Sequence, residues 1–203
     1  MPVYRREHLA ERLPWIEIDD FETFVLSASG EAATRRLQPS ALRERVIVLT
    51  GEVVAESEHG RVTLRRNDWL ELPSSGATLQ AVRTTAEVMR IAGHWVETTI
   101  LTLFQVRPDR ELELHYHDGD EYWIVFRGRG RARSEGVEYD VGPGDMVATG
   151  MGYEHGMPPT GELLEAVAFE TALYGARRRG HLHREEHGDP VPARELRAAA
   201  VAL

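Results

Sequence analysis

Sliding the sequence along itself by 77 residues superposes one half of the chain on the other. Without a gap, Glu44 falls on Glu121, Gly51 on Gly128, Ser57-Glu58 on Ser134-Glu135 and Asp68 on Asp145. The segment RVIVLTG (45–51) lies on YWIVFRG (122–128), and 9 of the 42 positions from Leu37 to Thr78 are identical to their counterparts. The matches fall at turns and strand cores. Upstream, FETFVLSAS (21–29) lies on TTILTLFQV (98–106), and both read as strands. A repeat of this length constrains the chain to two similar units of about 75 residues.

The kind of unit follows from the spacing of apolar residues. In the second half the runs TTILTLFQV, LELHYH, EYWIVFRG, GRARSEGVEYDV, GDMVATG and LLEAVAFETAL are short and rich in Val, Ile, Leu, Phe and Thr. SEG (134–136) and GPGD (142–145) read as tight turns between them. Long helical patterns are missing from the middle of the chain. Strands this short, with turns every 8–12 residues, indicate an all-β sandwich or barrel. The ends differ: REHLAERL near the start predicts one short helix. VPARELRAAAVAL near the end predicts another, with Pro192 at its first position. The polar connector GARRRGHLHREEHGDP precedes that last helix.

Composition narrows the function classes. With 42% hydrophobic residues a core forms without staples, and there is no cysteine to supply disulfides, thiolate ligands or a cysteine nucleophile. A net charge of −9 argues against a general phosphate-backbone binder, so no nucleic-acid partner is expected. Apolar runs fall well short of the ~18 residues of a membrane span, and charges stand where a signal peptide would be apolar. A cytoplasmic protein with no membrane partner is the expectation.

The stretch ELELHYHDGDEYWIVFRGRG (111–130) carries the chemistry. Read as a strand, LELHYH puts Glu113, His115 and His117 on one face and Leu112, Leu114 and Tyr116 on the other. Three inward polar residues are costly unless something satisfies them, and a divalent metal would do so. The alternative is that they are ordinary polar strand positions. Further on, GDMVATGMGYEH (144–155) ends in a third histidine, His155.

HYHDGDEYWIVFRG and GDMVATGMGYEH together resemble the two motifs of the cupin family, with Gly150 where the second motif usually has Pro. The resemblance covers residues 98 to about 173 and reaches the first half only through the repeat. It implies two tandem cupin-type β-barrels of the jelly-roll, or double-stranded β-helix, kind, with short terminal helices. The expected boundaries are 15–96 for a degenerate N-terminal barrel, 97–175 for a metal-binding C-terminal barrel, and 176–203 for the connector and last helix. It also implies one divalent metal ion per chain, held by His115, His117, Glu121 and His155. At the repeat offset these positions become Gln38, Ser40, Glu44 and Thr78, so the first barrel keeps only the Glu and is expected to shape rather than bind.

Around that site, Trp123 shares a strand face with Glu121 and is expected as an apolar, substrate-facing wall, or simply as core. Glu113 is the candidate general acid or base, against the alternative of a salt bridge at the rim. Tyr153, in the loop before His155, is a candidate substrate contact or a surface residue. Parity points Gly130 and Ala132 inward and Arg129, Arg131 and Arg133 outward, toward solvent or a subunit contact. His181, His183 and His187 lack a carboxylate at cupin spacing and are read as loop or packing residues. The resemblance implies a mononuclear metal-dependent enzyme on a small polar molecule, isomerase- or epimerase-like or using other Lewis-acid chemistry. An Fe(II)-dependent dioxygenase is the alternative within that class, and a non-catalytic small-molecule binding or sensor cupin the alternative outside it. About 14 residues precede the first barrel, which speaks against a fused DNA-binding domain. A homodimer is expected from the outward arginines and the sheet edges.

Overall fold

The computed structural model describes residues 2–30 and 33–172. They divide into two compact units, one of residues 17–94 and one of residues 2–16 with 95–172. The expected C-terminal helix, the connector and His181, His183 and His187 lie outside the described residues. No helix among the described residues is long and apolar enough to cross a membrane.

In the first unit, β2 (Ile18–Leu26), β4 (Arg43–Thr50), β7 (Trp69–Glu71) and β9 (Ala86–Gly93) form one antiparallel sheet in the order β2-β9-β4-β7. The second sheet, β3-β8-β5-β6, is built from β3 (Thr34–Leu37), β5 (Glu52–Ser57), β6 (Gly60–Arg65) and β8 (Ala77–Ala81). Inward residues of both sheets make the core, among them Val46, Val48, Leu64, Leu79 and Val88, each at most 1% exposed. Burying a side chain of this kind contributes about 1.5–3 kcal/mol, and alternation along the strands is what aims them all at one interior.

The second unit repeats this plan strand for strand. Its larger sheet holds β10 (Glu97–Val106), β12 (Glu121–Arg127), β15 (Asp145–Thr149) and β17 (Leu164–Ala172). The smaller holds β11 (Leu112–His115), β13 (Gly130–Ser134), β14 (Val137–Val141) and β16 (His155–Met157). The orders β10-β17-β12-β15 and β11-β16-β13-β14 match those of the first unit position by position. The expected all-β fold of two cupin-type barrels is therefore present.

The repeated residues sit where the shared backbone needs them. Asp145 Oδ2 accepts from the Gly142 N–H at 2.8 Å, and Asp68 Oδ2 accepts from the Arg65 N–H at the same distance. Gly51 and Gly128 follow β4 and β12 with φ of 79° and 73°, in the left-handed region that a side chain resists.

One element breaks the symmetry. β1 (Val3–Arg5) pairs antiparallel with β15, Val3 opposite Val147, and extends the larger sheet of the second barrel. A two-turn 3-10 helix, Arg6–Glu11, follows it where a short helix is expected, and buries Leu9. A three-residue strand leaves no periodic signal, so the sequence pattern did not reveal that the start of the chain belongs to the second unit.

Candidate metal centre

Four side chains converge inside the second barrel: His115, His117, Glu121 and His155. One donor atom from each lies within 4.8 Å of all the others. They are 2%, 2%, 6% and 1% exposed, so the cluster is screened from water. The backbone explains the convergence. His115 and His155 face each other across the β11–β16 ladder, and cross-strand partners point to the same side. Glu121 opens β12 in the other sheet, and the turn between β11 and β12 brings His117 to it.

Two histidines are fixed in one tautomer by main-chain carbonyls. His115 Nδ1 donates to Glu113 O at 2.6 Å, and His155 Nδ1 donates to Tyr153 O at 2.8 Å. A carbonyl only accepts, so both rings carry a proton on Nδ1, and Nε2 is the atom each would offer to a cation. His155 Nε2 lies 2.6 Å and His117 Nε2 3.1 Å from Glu121 Oε2. Burial alone would raise the Glu121 carboxyl, but hydrogen bonds from protonated His117 and His155, and their positive charge, outweigh it and hold it well below its usual range; a bound cation would take the place of those protons. A buried carboxylate ringed by three imidazoles is a donor set that a divalent cation completes once the Nε2 protons leave, and it fits a metal. Imidazole suits Zn, Cu, Fe and Ni, while the carboxylate adds affinity for harder ions.

The loops carrying the donors are tied together. Gly152 N–H donates to His117 O at 2.9 Å, and Met151 N–H donates to Asp120 Oδ1 at 2.8 Å. Asp120 O in turn accepts from Thr171 N–H on β17 at 2.9 Å. Burial pushes the Asp120 carboxyl above its usual value, and the Met151 N–H offsets part of that.

Trp123 lies beside the cluster. It is 2% exposed, belongs to the barrel core, and sets its ring 5.2 Å from that of His155 in an edge-on contact. Phe104 backs it at 5.6 Å. Tyr153 is 55% exposed, and what reaches the centre is its carbonyl. Gly130 and Ala132 turn inward as expected, while Arg131 and Arg133 turn out to pair with Glu138 on β14.

Glu113 is a correction. Its residue is exposed, and it does not share the inner face with His115. The reason is a β-bulge: Leu112 pairs with Met157 and His115 with His155, so three steps on β11 span two on β16. The extra residue breaks alternation, leaving Leu112 and His115 inward and Glu113 and Leu114 outward. Gly156 permits the bulge, since a Cβ there would lie 2.6 Å from Leu112 O and 3.0 Å from Glu113 O. The bulge also aims the Glu113 carbonyl at His115.

Cross-strand register brings in two residues outside the ligand set. Glu121 is flanked by Thr149 on β15 and by Glu170 on β17. Both are buried, at 2% and 3% exposed, and both lie on the inner face. The same register places Ala168 beside Trp123.

The comparisons with known proteins agree with this fold. Residues 102–170 match the family model described as the cupin domain. An uncharacterized protein of Sinorhizobium fredii, y4oW, is 28% identical over 192 residues, covering 86% of this chain and 87% of its own length. A point mutant of Bacillus subtilis oxalate decarboxylase OxdC superposes with a TM-score of 0.66 at 12% identity, over 86% of this chain and 73% of that one. AerE from Microcystis aeruginosa superposes at 0.57 and 9% identity, over 75% and 87%. At such identities the structural likeness speaks for the fold. The second barrel, with both motifs in place, is the part of the chain that matches the cupin domain.

Proposed function

We propose that the chain is a mononuclear metal-dependent enzyme that acts on a small polar molecule in its second barrel. The observation that carries this reading is the convergence of four buried donors within 4.8 Å, two of them with their tautomer set by the backbone. A divalent ion held by His115, His117, Glu121 and His155 would supply Lewis-acid polarisation of a substrate oxygen or, if it were iron, O₂ chemistry.

The chain's own residues supply the rest. Trp123 and the apolar lining of Val106, Val125, Met157 and Ala166 keep bulk water from the interior. Isomerase- or epimerase-like chemistry needs a group that takes a proton from one substrate atom and returns it to another. Glu113 faces away, and the role passes to Glu170. It is a buried carboxylate that lies opposite Glu121 on the inner face. A buried carboxylate opposite Glu121 supports the Lewis-acid reading over dioxygenation.

Elemental analysis of purified protein beside a His117→Ala, His155→Ala double variant tests the proposal. Near one equivalent of metal in the parent, absent in the variant, is expected. The metal then directs the substrate screen: iron toward O₂ uptake, other ions toward isomerase and lyase assays that include oxalate, on which the oxalate decarboxylase neighbour acts. No metal in the parent after reconstitution would overturn the enzyme reading and leave a small-molecule binding module.

A further inference from the structure

The first barrel keeps one residue of the donor set, Glu44, and buries it to 1% exposure. Such a carboxylate needs a cation, because an isolated buried charge is far too costly to keep. It has one. Arg90 is itself 7% exposed and grips Glu44 with two hydrogen bonds, Nε to Oε2 at 2.7 Å and Nη2 to Oε1 at 2.7 Å. Its other donors reach Asp20 Oδ2 at 3.1 Å and Ser40 Oγ at 2.6 Å. Ser40 closes the ring, its N–H and hydroxyl both donating to Glu44 Oε1.

The register shows where this arginine stands. Glu44 lies opposite Ala92, and two residues on Val46 lies opposite Arg90. In the second barrel Glu121 lies opposite Glu170, and Trp123 lies opposite Ala168. Arg90 thus holds the inner-face position that Ala168 holds beside the histidine cluster. Where one barrel has a small residue and three imidazoles, the other has a long cation and none.

We propose that Arg90 is the built-in cation of the first barrel, its guanidinium filling in cis the place that the second barrel offers to a metal. The first barrel is then a cation site whose ligand class is guanidinium-like, occupied by the chain itself. It needs no metal, and it is closed to one while Arg90 is in place. This inference does not depend on the second barrel being a metalloenzyme.

The test is hydrogen exchange of the β4 and β9 peptides in the full chain. In Arg90→Ala these peptides are expected to lose protection, and sub-denaturing guanidinium is expected to restore it where equal sodium chloride or urea does not. Arg90→Lys, which keeps a positive charge, is expected to lose less. Wild-type protection in Arg90→Ala would overturn the proposal, as would a loss that guanidinium fails to restore. If Arg90→Ala does not fold, the double variant Glu44→Gln, Arg90→Met decides. It removes the orphaned charge together with the cation, so folding is expected to return. A double variant that also fails to fold would overturn the proposal.

Discussion

His155 Nε2 lies 2.6 Å from Glu121 Oε2, although the two residues come from different sheets and stand 34 apart in sequence. The contact closes the donor ring. A ligand that binds only the folded state stabilises it by about 2.7 kcal/mol at a hundredfold excess over Kd. Chelation is therefore expected to lower the unfolding midpoint of the parent protein, and excess metal to restore it. In Glu121→Gln the midpoint should not respond to metal. Urea titrations with and without a chelator check both statements.

Asp120 holds the centre without being a donor. Its Oδ1 receives the Met151 N–H, which anchors the loop that leads to His155. Loss of an outer partner of this kind typically weakens metal binding about 10–100-fold. Asp120→Ala is expected to fall in that range by chelator competition. Asp120→Asn keeps an acceptor oxygen at the same place and is expected to stay close to the parent. Equal losses in both variants would remove Asp120 from this role.

Much of this architecture was legible because the repeat is visible at 77 residues. Glu44 and Glu121, Gly51 and Gly128, and Asp68 and Asp145 mark the same strand start and the same turns in both barrels. The ligand set was legible because its spacing is local in two motifs. Glu113 was misplaced because alternation assumes an unbroken ladder, and the bulge between Leu112 and His115 has no composition signal. Glu170 stayed hidden for a different reason. It lies 49 residues after Glu121 in an ordinary-looking strand, and only the β12–β17 register brings it to the centre.

The matched glycines give a paired prediction. A Cβ at Gly128 would lie 2.1 Å from Leu163 O, and one at Gly51 would lie 2.7 Å from Thr85 O. Left-handed backbone costs a non-glycine residue roughly 1–2 kcal/mol before any clash. Both Gly51→Ala and Gly128→Ala should lower the unfolding midpoint. Gly128→Ala should cost more, because its Cβ approaches the backbone more closely. Thermal unfolding of the two variants orders them.

The Glu44–Arg90 pair predicts an acid limb. Burial alone would raise the Glu44 carboxyl above its ordinary 4.5, but its hydrogen bonds from Arg90 and Ser40 win and lower it. Glu71 is lowered in the same way by Arg43 and Arg45. A carboxylate depressed on folding contributes stability that is full above its unfolded value and lost as pH falls through the folded one. First-barrel stability is thus expected to decline below about pH 4.5, in step with protonation of these groups. Glu44→Gln should cost about 3–5 kcal/mol near neutrality by leaving Arg90 buried with a weaker partner, and should flatten the acid limb. Urea midpoints across the acid range measure both.

Glu170 separates holding the metal from using it. It faces the interior beside Glu121 but lies outside the four-donor cluster, so Glu170→Gln is expected to bind metal as the parent does. Its exposure of 3% and its position opposite Glu121 are the grounds on which the proposed function gives it the proton transfer. Positioned acid–base groups contribute about 10²–10⁴-fold in rate. A fall of that size in turnover at full metal occupancy, with the acid limb of the rate profile lost, is the expected result. If metal content falls in parallel with rate, Glu170 acts through the donor ring instead, and proton transfer must come from another group. Metal analysis and pH–rate profiles on the same Glu170→Gln preparation distinguish the two, once a substrate is found by the metal-directed screen.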